Sequence, residues 1–449
     1  MRVALVSCYE LGRQPLGVAQ PAARLRAAGH EVRCRDLAVD PWDPDLVTWA
    51  DRLACSVPMH TATRLAREVI DDVRRRRPTL PVACFGLYGQ AMADRADRVL
   101  VGETDTALLD WVEGHDDGRV VHLGRRAADD TVAPARDLLP ALDRYARLVQ
   151  GDDERLVAVV EASRGCAHRC RHCPVPVVYD GRIRIASVDA VLGDVAQQVA
   201  AGAQHVTFAD PDFFNGVHHA RRVVDAVHGA FPDVTFDCTV KVEHILAHRG
   251  TWPGMAAAGC LFVVSAFECV DDATLARLDK GHTTADEAAA VAVLRAEGIE
   301  VRPSWLPFTP WTTLATLQAL VEFVADHDLV GNVDPVQYTI RLLLPPGSLL
   351  LDHPDLAPHL GDYDPARLSH TWRAADPAMD RLQVELAALV EEAVGAGAPI
   401  PEVYARVRDA LGLRAVAVDA DRAARVPRLS EPWFCCAEPT TAQLAPLTG

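Results

Sequence analysis

Through the first 125 residues, short apolar runs alternate with amphipathic stretches of helical period. Segments 3–7, 31–37, 52–57, 80–85 and 99–102 read as strands. Segment 21–29 reads as a helix stopped by Gly29, and 61–77 is strongly helical. This alternation predicts a parallel, doubly wound (Rossmann-like) sheet over 1–125. Residues 126–155 are polar and aperiodic, which predicts a linker. From Leu156 the alternation resumes with a longer period, with strands expected at 157–161, 205–209, 235–240, 262–267, 300–303 and 336–343. Segments 216–228 and 284–298 read as crossover helices between them. Six strands alternating with helices predict an open, partial (β/α)6 barrel over 156–350. Residues 351–425 read as helical, most clearly at 376–395, where Asp376 caps and Pro377 takes the first helical position, and at 401–411. Residues 426–449 have no period and are expected to form an irregular tail.

Composition narrows the function. The chain has 449 residues, 49% of them apolar, and a formal net charge of −17, which argues against a nucleic-acid partner. The arginine run 74–77 precedes Pro78 and suits a helix C-terminus. No apolar stretch approaches the roughly 20 residues that span a bilayer, and the first residues read as a buried strand, not a signal peptide. A cytoplasmic protein without membrane contact is expected. Its twelve cysteines are scattered, which in that compartment points to metal or redox chemistry. Of 45 basic residues only Lys241 and Lys280 are lysines. A chain so biased to arginine has reason to keep lysine where a slim ammonium does what a planar guanidinium cannot.

Three cysteines stand in Glu161-Ala-Ser-Arg-Gly-Cys166-Ala-His-Arg-Cys170-Arg-His-Cys173. At this composition one fixed three-cysteine spacing arises by chance in roughly one such chain in a hundred. Thiolates suit iron, and a 4Fe–4S cluster normally takes four ligands. Three local ligands leave one iron open to an exogenous group. Structural zinc wants four ligands, and no second pair lies at a suitable spacing.

This C-x3-C-x2-C run after the first barrel strand resembles the signature of the radical S-adenosylmethionine (SAM) superfamily. The resemblance implies that the open iron chelates the amino and carboxylate groups of SAM, and that reduction of the cluster, by an external flavodoxin- or ferredoxin-type donor, cleaves a C–S bond. His172 replaces an aromatic that often packs on the adenine. His205-Val-Thr-Phe-Ala-Asp210-Pro-Asp212-Phe-Phe-Asn215 is similar to the second strand and loop of the group, which implies that Asp210, or else Asp212, meets the SAM ammonium. Ser265-Ala-Phe-Glu268 and Leu278-Asp-Lys280-Gly-His-Thr283 resemble its fourth strand and following loop, and Leu344-Pro-Pro-Gly-Ser348 its final turn. The resemblance makes Ser265, Glu268, Lys280 and Arg302 candidate SAM contacts. Lys241, following the third strand, joins them on the expected active face.

The first domain resembles a cobalamin-binding fold in its Ser56-Val-Pro-Met-His60, Gly86-Leu-Tyr-Gly89 and Gly102-Glu103 segments. The D-x-H-x-x-G segment that supplies a lower cobalt ligand is missing, and the loop Cys8-Tyr-Glu-Leu-Gly-Arg-Gln-Pro-Leu-Gly17 holds no histidine. That absence favours a vestigial or substrate-shaping domain, with cobalamin left open. The tail Pro432-Trp-Phe-Cys435-Cys436-Ala-Glu-Pro439 resembles the CUAEP/CCAEP-tail group of radical SAM proteins, in which one position can be selenocysteine. It implies a soft nucleophile, redox couple or ligand at Cys435 and Cys436. The leading expectation is an enzyme that reductively cleaves SAM and transfers a SAM-derived group to a small molecule. Two alternatives stand beside it. One is 3-amino-3-carboxypropyl transfer to a thiol-bound metalloid such as arsenite, by analogy with the RCCLKC-tail group. The other is a non-enzymatic iron–sulfur or metal(loid)-binding protein.

Overall fold

The computed structural model describes residues 1–102, 104–115, 118, 120–122 and 132–431. In the N-terminal part, β1 (Arg2–Ser7), β2 (Glu31–Asp36), β3 (Arg52–Ser56), β4 (Val82–Phe85), β5 (Arg98–Val101) and β6 (Val120–His122) form one parallel sheet in the order 2-1-3-4-5-6. Its helices are α1 (Leu16–Ala27), α2 (Asp45–Trp49), α3 (His60–Arg76) and α4 (Asp105–Glu113). Both faces are covered, which is why β1, β3, β4 and β5 read as largely apolar runs, while β2 at the sheet edge alternates polar and apolar residues. Val3 and Leu5 pack towards α1 and α4, while Ala4 and Val6 pack towards α3. The strand order reverses between β1 and β3, and there the C-terminal strand ends leave a crevice.

The expected linker is partly ordered structure. Arg147–Gln150 forms β7, paired antiparallel with β8 (Asp153–Val160). Upstream, the buried Arg136 guanidinium donates to both carboxylate oxygens of Asp194 at 3.1 and 2.9 Å and to the Val159 carbonyl. This pair pins the segment to the barrel. β9 (Ser163–Gly165) and β10 (Ile183–Ile185) form a small antiparallel clip around α5 (Val175–Tyr179).

The barrel sheet continues through α6 (Val188–Ala200), β11 (His205–Phe208), α7 (Val217–Ala230), β12 (Thr235–Thr239), α8 (Val242–Ala247), α9 (Trp252–Ala257), β13 (Cys260–Glu268), α10 (Asp272–Leu278), α11 (Thr284–Ala296), β14 (Glu300–Trp305) and α12 (Leu314–Asp326). Strands 8, 11, 12, 13 and 14 are parallel and neighbours in that order. The sixth barrel strand expected at 336–343 does not form. Pro335–Tyr338 is a 3-10 turn, the Gln337 side chain accepts the Trp305 N–H at 3.0 Å, and only an isolated bridge joins Phe308 to Arg341. A side-chain amide thus takes the place of a strand partner. The region beyond 350 is also not all helical. A hairpin of β15 (Leu360–Asp364) and β16 (Ser369–Trp372) precedes α13 (Pro377–Gly395), α14 (Ile400–Ala410) and α15 (Ala420–Arg425). Asp376 caps α13 as expected, accepting from the Ala378 N–H. β17 (Arg428–Leu429) then pairs with β7 at the sheet edge. Among the described residues no helix is long and apolar enough to cross a membrane.

Candidate active site

β8 delivers the chain to the barrel rim, where the cysteine loop begins. Gly165 has φ +79°, and a Cβ there would lie 2.3 Å from the Arg182 carbonyl, so only glycine lets the loop turn into the β9–β10 clip. Cys166 and Cys170 are buried and Cys173 is half-buried. The loop is held from several directions. Cys173 N–H donates to Cys170 O (3.2 Å), Arg171 N–H to Leu278 O (2.9 Å), and Ala167 N–H to Asn215 Oδ1 (3.0 Å). Burial raises the Cys166 thiol above its ordinary value. Three thiols on one rigid loop, with a buried ammonium beside them, form a donor set that fits a 4Fe–4S cluster.

That ammonium is Lys280. Its Nζ lies 2.9 Å from Glu268 Oε1, which also receives His172 Nε2 at 3.0 Å. Glu268 ends β13 at an irregularity in the pairing with β14 and sits at φ +73°, a left-handed conformation uncommon for a non-glycine residue. Burial alone would raise its carboxyl, but Lys280 and His172 outweigh that and hold it well below the usual range. Burial would likewise lower Lys280, yet Glu268 and then Cys170 keep it protonated, with a smaller push from Cys173. His172 Nδ1 is buried without a hydrogen-bond partner among the described residues. An orphaned ring nitrogen next to the third cysteine fits a ligand such as SAM.

Asp210 and Ser265 are placed differently from this trio. Asp210 turns back beneath the loop, accepting the Ala162 N–H (2.8 Å) and the Ser163 hydroxyl (2.5 Å). Ser265 shares the helix-facing side of β13 with Val263 and Phe267, and its hydroxyl is buried without a partner there. Lys241 is on the rim after β12, 3.4 Å from Glu243. Arg302 lies lower in β14 and pairs with Asp334 at 2.8 Å. Cys435 and Cys436 lie outside the described residues. Burial raises Asp210 from the usual 3.8 to about 7. The folded protein therefore keeps a proton that the unfolded chain sheds, and stability should fall as pH rises from about 4 to about 7, then level off. Asp210→Asn is expected to flatten that slope, measured as urea midpoints at about pH 5 and about pH 8.

Above the rim, a cavity separates the barrel from the first domain. Gly17, Ser56, Gly86 and Gly102 line the sheet side, while Glu161, Arg164 and Pro211 line the barrel side. Gly86 and Gly102 take φ +119° and +98°, a backbone conformation that favours glycine. Glu10 accepts the N–H groups of Leu16 and Gly17 at the start of α1 (3.1 and 3.2 Å), and burial, then the Glu161 charge, raises it to about 8. A cavity at the switch point, lined on the sheet side by three glycines among apolar and polar side chains such as Met59, Leu87 and Glu10, is where such a sheet binds a ligand, and among the described residues no histidine lines it. Glu10 escaped the sequence reading. The available signal was a lone acid in a glycine-rich loop after the first strand.

No family model matches the chain. It is 23% identical over 335 residues to the hopanoid C-3 methylase of Methylococcus capsulatus, covering 66% of this chain and 62% of that protein. The structure of OxsB, a cobalamin-dependent SAM radical enzyme with aqua-cobalamin and SAM bound, aligns over 87% of this chain and 66% of its own, with TM-score 0.67 and 15% identity. TsrM from Kitasatospora setae, a radical SAM methyltransferase solved with cobalamin and a [4Fe-4S] cluster, aligns over 91% and 99%, with TM-score 0.63 and 15% identity. The α/β architecture is thus that of radical SAM proteins with an N-terminal cobalamin-binding-like domain. The chain spans about six-tenths of the length of the hopanoid methylase.

Proposed function

We propose that the protein transfers a SAM-derived methyl group to a small molecule bound between the two domains. The observation that carries this is the cavity in which the sheet edge of the first domain, at Gly86 and Gly102, faces the barrel rim at Glu161 and Arg164. Cys166, Cys170 and Cys173 would hold a 4Fe–4S cluster, which when reduced supplies the electron for SAM cleavage. Lys280 and the Glu268–His172 pair hold the local charge, and His172 Nδ1 offers a hydrogen bond to the nucleoside. Asp210 acts through the loop, fixing Ala162 and Ser163. Gly17, Ser56, Gly86 and Gly102 would seat cobalamin, which supplies a carrier for the methyl group. The first domain is therefore read as a cofactor carrier, since neighbours of this architecture bind cobalamin. Cys173, the least buried of the three thiols, marks where an external electron donor would approach.

The last described residue, Glu431, accepts the Tyr9 hydroxyl at 2.7 Å and lines a small cavity with Phe262, Val264 and Arg302 inside the barrel. The adjacent Cys435 and Cys436, beyond the described residues, are read as a redox or soft-ligand pair from their thiol chemistry. Neither aminocarboxypropyl transfer to arsenite nor a non-enzymatic carrier is favoured beside relatives that transfer methyl groups.

The test uses anaerobically reconstituted protein with dithionite, SAM and hydroxocobalamin. The expected result is retention of about one equivalent of cobalamin, and cluster-dependent formation of 5′-deoxyadenosine or S-adenosylhomocysteine. Cluster-loaded protein that yields no SAM-derived product, with or without the corrin, overturns the proposal.

A further inference from the structure

Beside the cysteine loop, and separate from the Glu268 trio, three side chains converge from distant parts of the chain. His168 stands between the first two cysteines, Asp212 in the turn after β11, and His244 in α8. One donor atom from each lies within 4.8 Å of the others. His168 Nε2 is 3.5 Å from Asp212 Oδ2 and 3.3 Å from His244 Nε2, while His244 Nδ1 is 2.7 Å from Asp212 Oδ2.

The 2.7 Å contact is not satisfied as a hydrogen bond. Among the described residues, both Asp212 Oδ2 and His244 Nδ1 are buried without a partner of acceptable geometry, because the ring N–H direction misses the oxygen. Asp212 is fully buried, so its carboxylate has no water to fall back on. A fully buried carboxylate oxygen with two imidazoles beside it is an arrangement that a shared cation satisfies. Ligands about 2.0–2.1 Å from a tetrahedral zinc lie roughly 3.3 Å apart, and with one donor atom taken from each residue the three here lie within 4.8 Å of one another, a span that small side-chain rotations close. Two further features agree. Asp212 Oδ1 accepts the Phe214 N–H at 3.1 Å, which fixes the carboxylate and leaves Oδ2 for the cluster of donors. His168 Nδ1 faces Glu243 Oε2 at 3.7 Å, the outer carboxylate that orients many metal-binding imidazoles with the other nitrogen inward.

We propose that His168, Asp212 and His244 bind one divalent transition-metal ion of the zinc(II) class, distinct from the iron–sulfur cluster. Two imidazoles and a carboxylate are a donor set for Zn2+ or Fe2+ that leaves coordination positions open. By its location the ion fastens the segment between Cys166 and Cys170 to the second and third strand–helix connections of the barrel. The site does not depend on which group the enzyme transfers.

The probe is zinc, added anaerobically to full-length cluster-loaded protein in the presence of a weak chelator, with metals counted by mass spectrometry after gel filtration. Wild type is expected to keep about one zinc in addition to its iron. His168→Gln and His244→Gln should each lose at least fivefold in zinc content while iron content and circular dichroism stay unchanged. A chain with Cys166, Cys170 and Cys173 all changed to Ala should keep its zinc. Zinc content that is equal in wild type and the histidine variants, or that vanishes with the cysteines, overturns the site. Should the histidine variants fail to fold, the triple-cysteine protein still decides the matter. Zinc must raise its melting temperature by several degrees, and no rise refutes the proposal.

Discussion

Protein carrying Cys170→Ala is expected to lose its iron and all SAM cleavage, a fall of about a thousandfold or more, while remaining folded. The reasoning begins with ligand count. The loop supplies three thiolates, and two cannot hold a cubane. The fold should survive, because Cys170 lies in a loop braced by the Arg171–Leu278 and Ala167–Asn215 hydrogen bonds, none of which uses its sulfur. Deleting one buried sulfur costs about 1 kcal/mol in packing. The loss of nearby thiolate charge should also lower the affinity of Lys280 for its proton, since Cys170 is among the groups that raise it. Iron content, visible absorbance and SAM-derived products measured on one preparation check the claim. A variant that keeps a SAM-responsive cluster would remove the cysteine loop from the site.

Lys280→Met is the second large effect. It leaves the Glu268 carboxylate, 9% exposed, without its ammonium partner and with His172 still 3.0 Å away. Breaking one side of a buried pair typically costs about 3–5 kcal/mol, so a loss of unfolding free energy of that order is expected in urea titrations. The double variant Lys280→Met, Glu268→Gln removes both charges and should recover most of the stability. It should not recover SAM cleavage, which is expected to stay at least about tenfold down. Recovery of both would reduce the pair to scaffolding. The pH dependence has a definite sign. The folded Glu268 carboxyl lies well below its usual 4.5, so its contribution is present above about pH 4.5 and is lost as pH falls below it. Glu268→Gln should lack this acid-side loss.

The cysteine loop was legible because its spacing is a local property: Cys166, Cys170 and Cys173 fall on one loop without help from the rest of the chain. β1, β3, β4 and β5 of the N-terminal sheet were legible for a similar reason, since burial on both faces leaves apolar runs, and the edge strand β2 was legible from its alternation. β7 and β17 were not, because Arg147–Gln150 and Arg428–Leu429 are short and rich in polar residues. The segment 336–343 looked like a strand from its apolar content, but Pro335 starts a 3-10 turn and the Gln337 amide serves the edge of β14 instead. The convergence at Glu268 shows a different limit. Ser265 and Glu268 came from one motif, yet strand alternation and the irregularity after Ala266 send them to different surroundings.

By itself the sequence determined what chemistry the protein could carry: three thiolates on a tight glycine turn, on a parallel strand–helix framework. Only the tertiary structure decided which charges meet that loop, because His172, Glu268 and Lys280, like His168, Asp212 and His244, come from separate elements. Their encounters depend on strand register and on the left-handed turn at Glu268, and neither leaves a periodic trace in the order of residues.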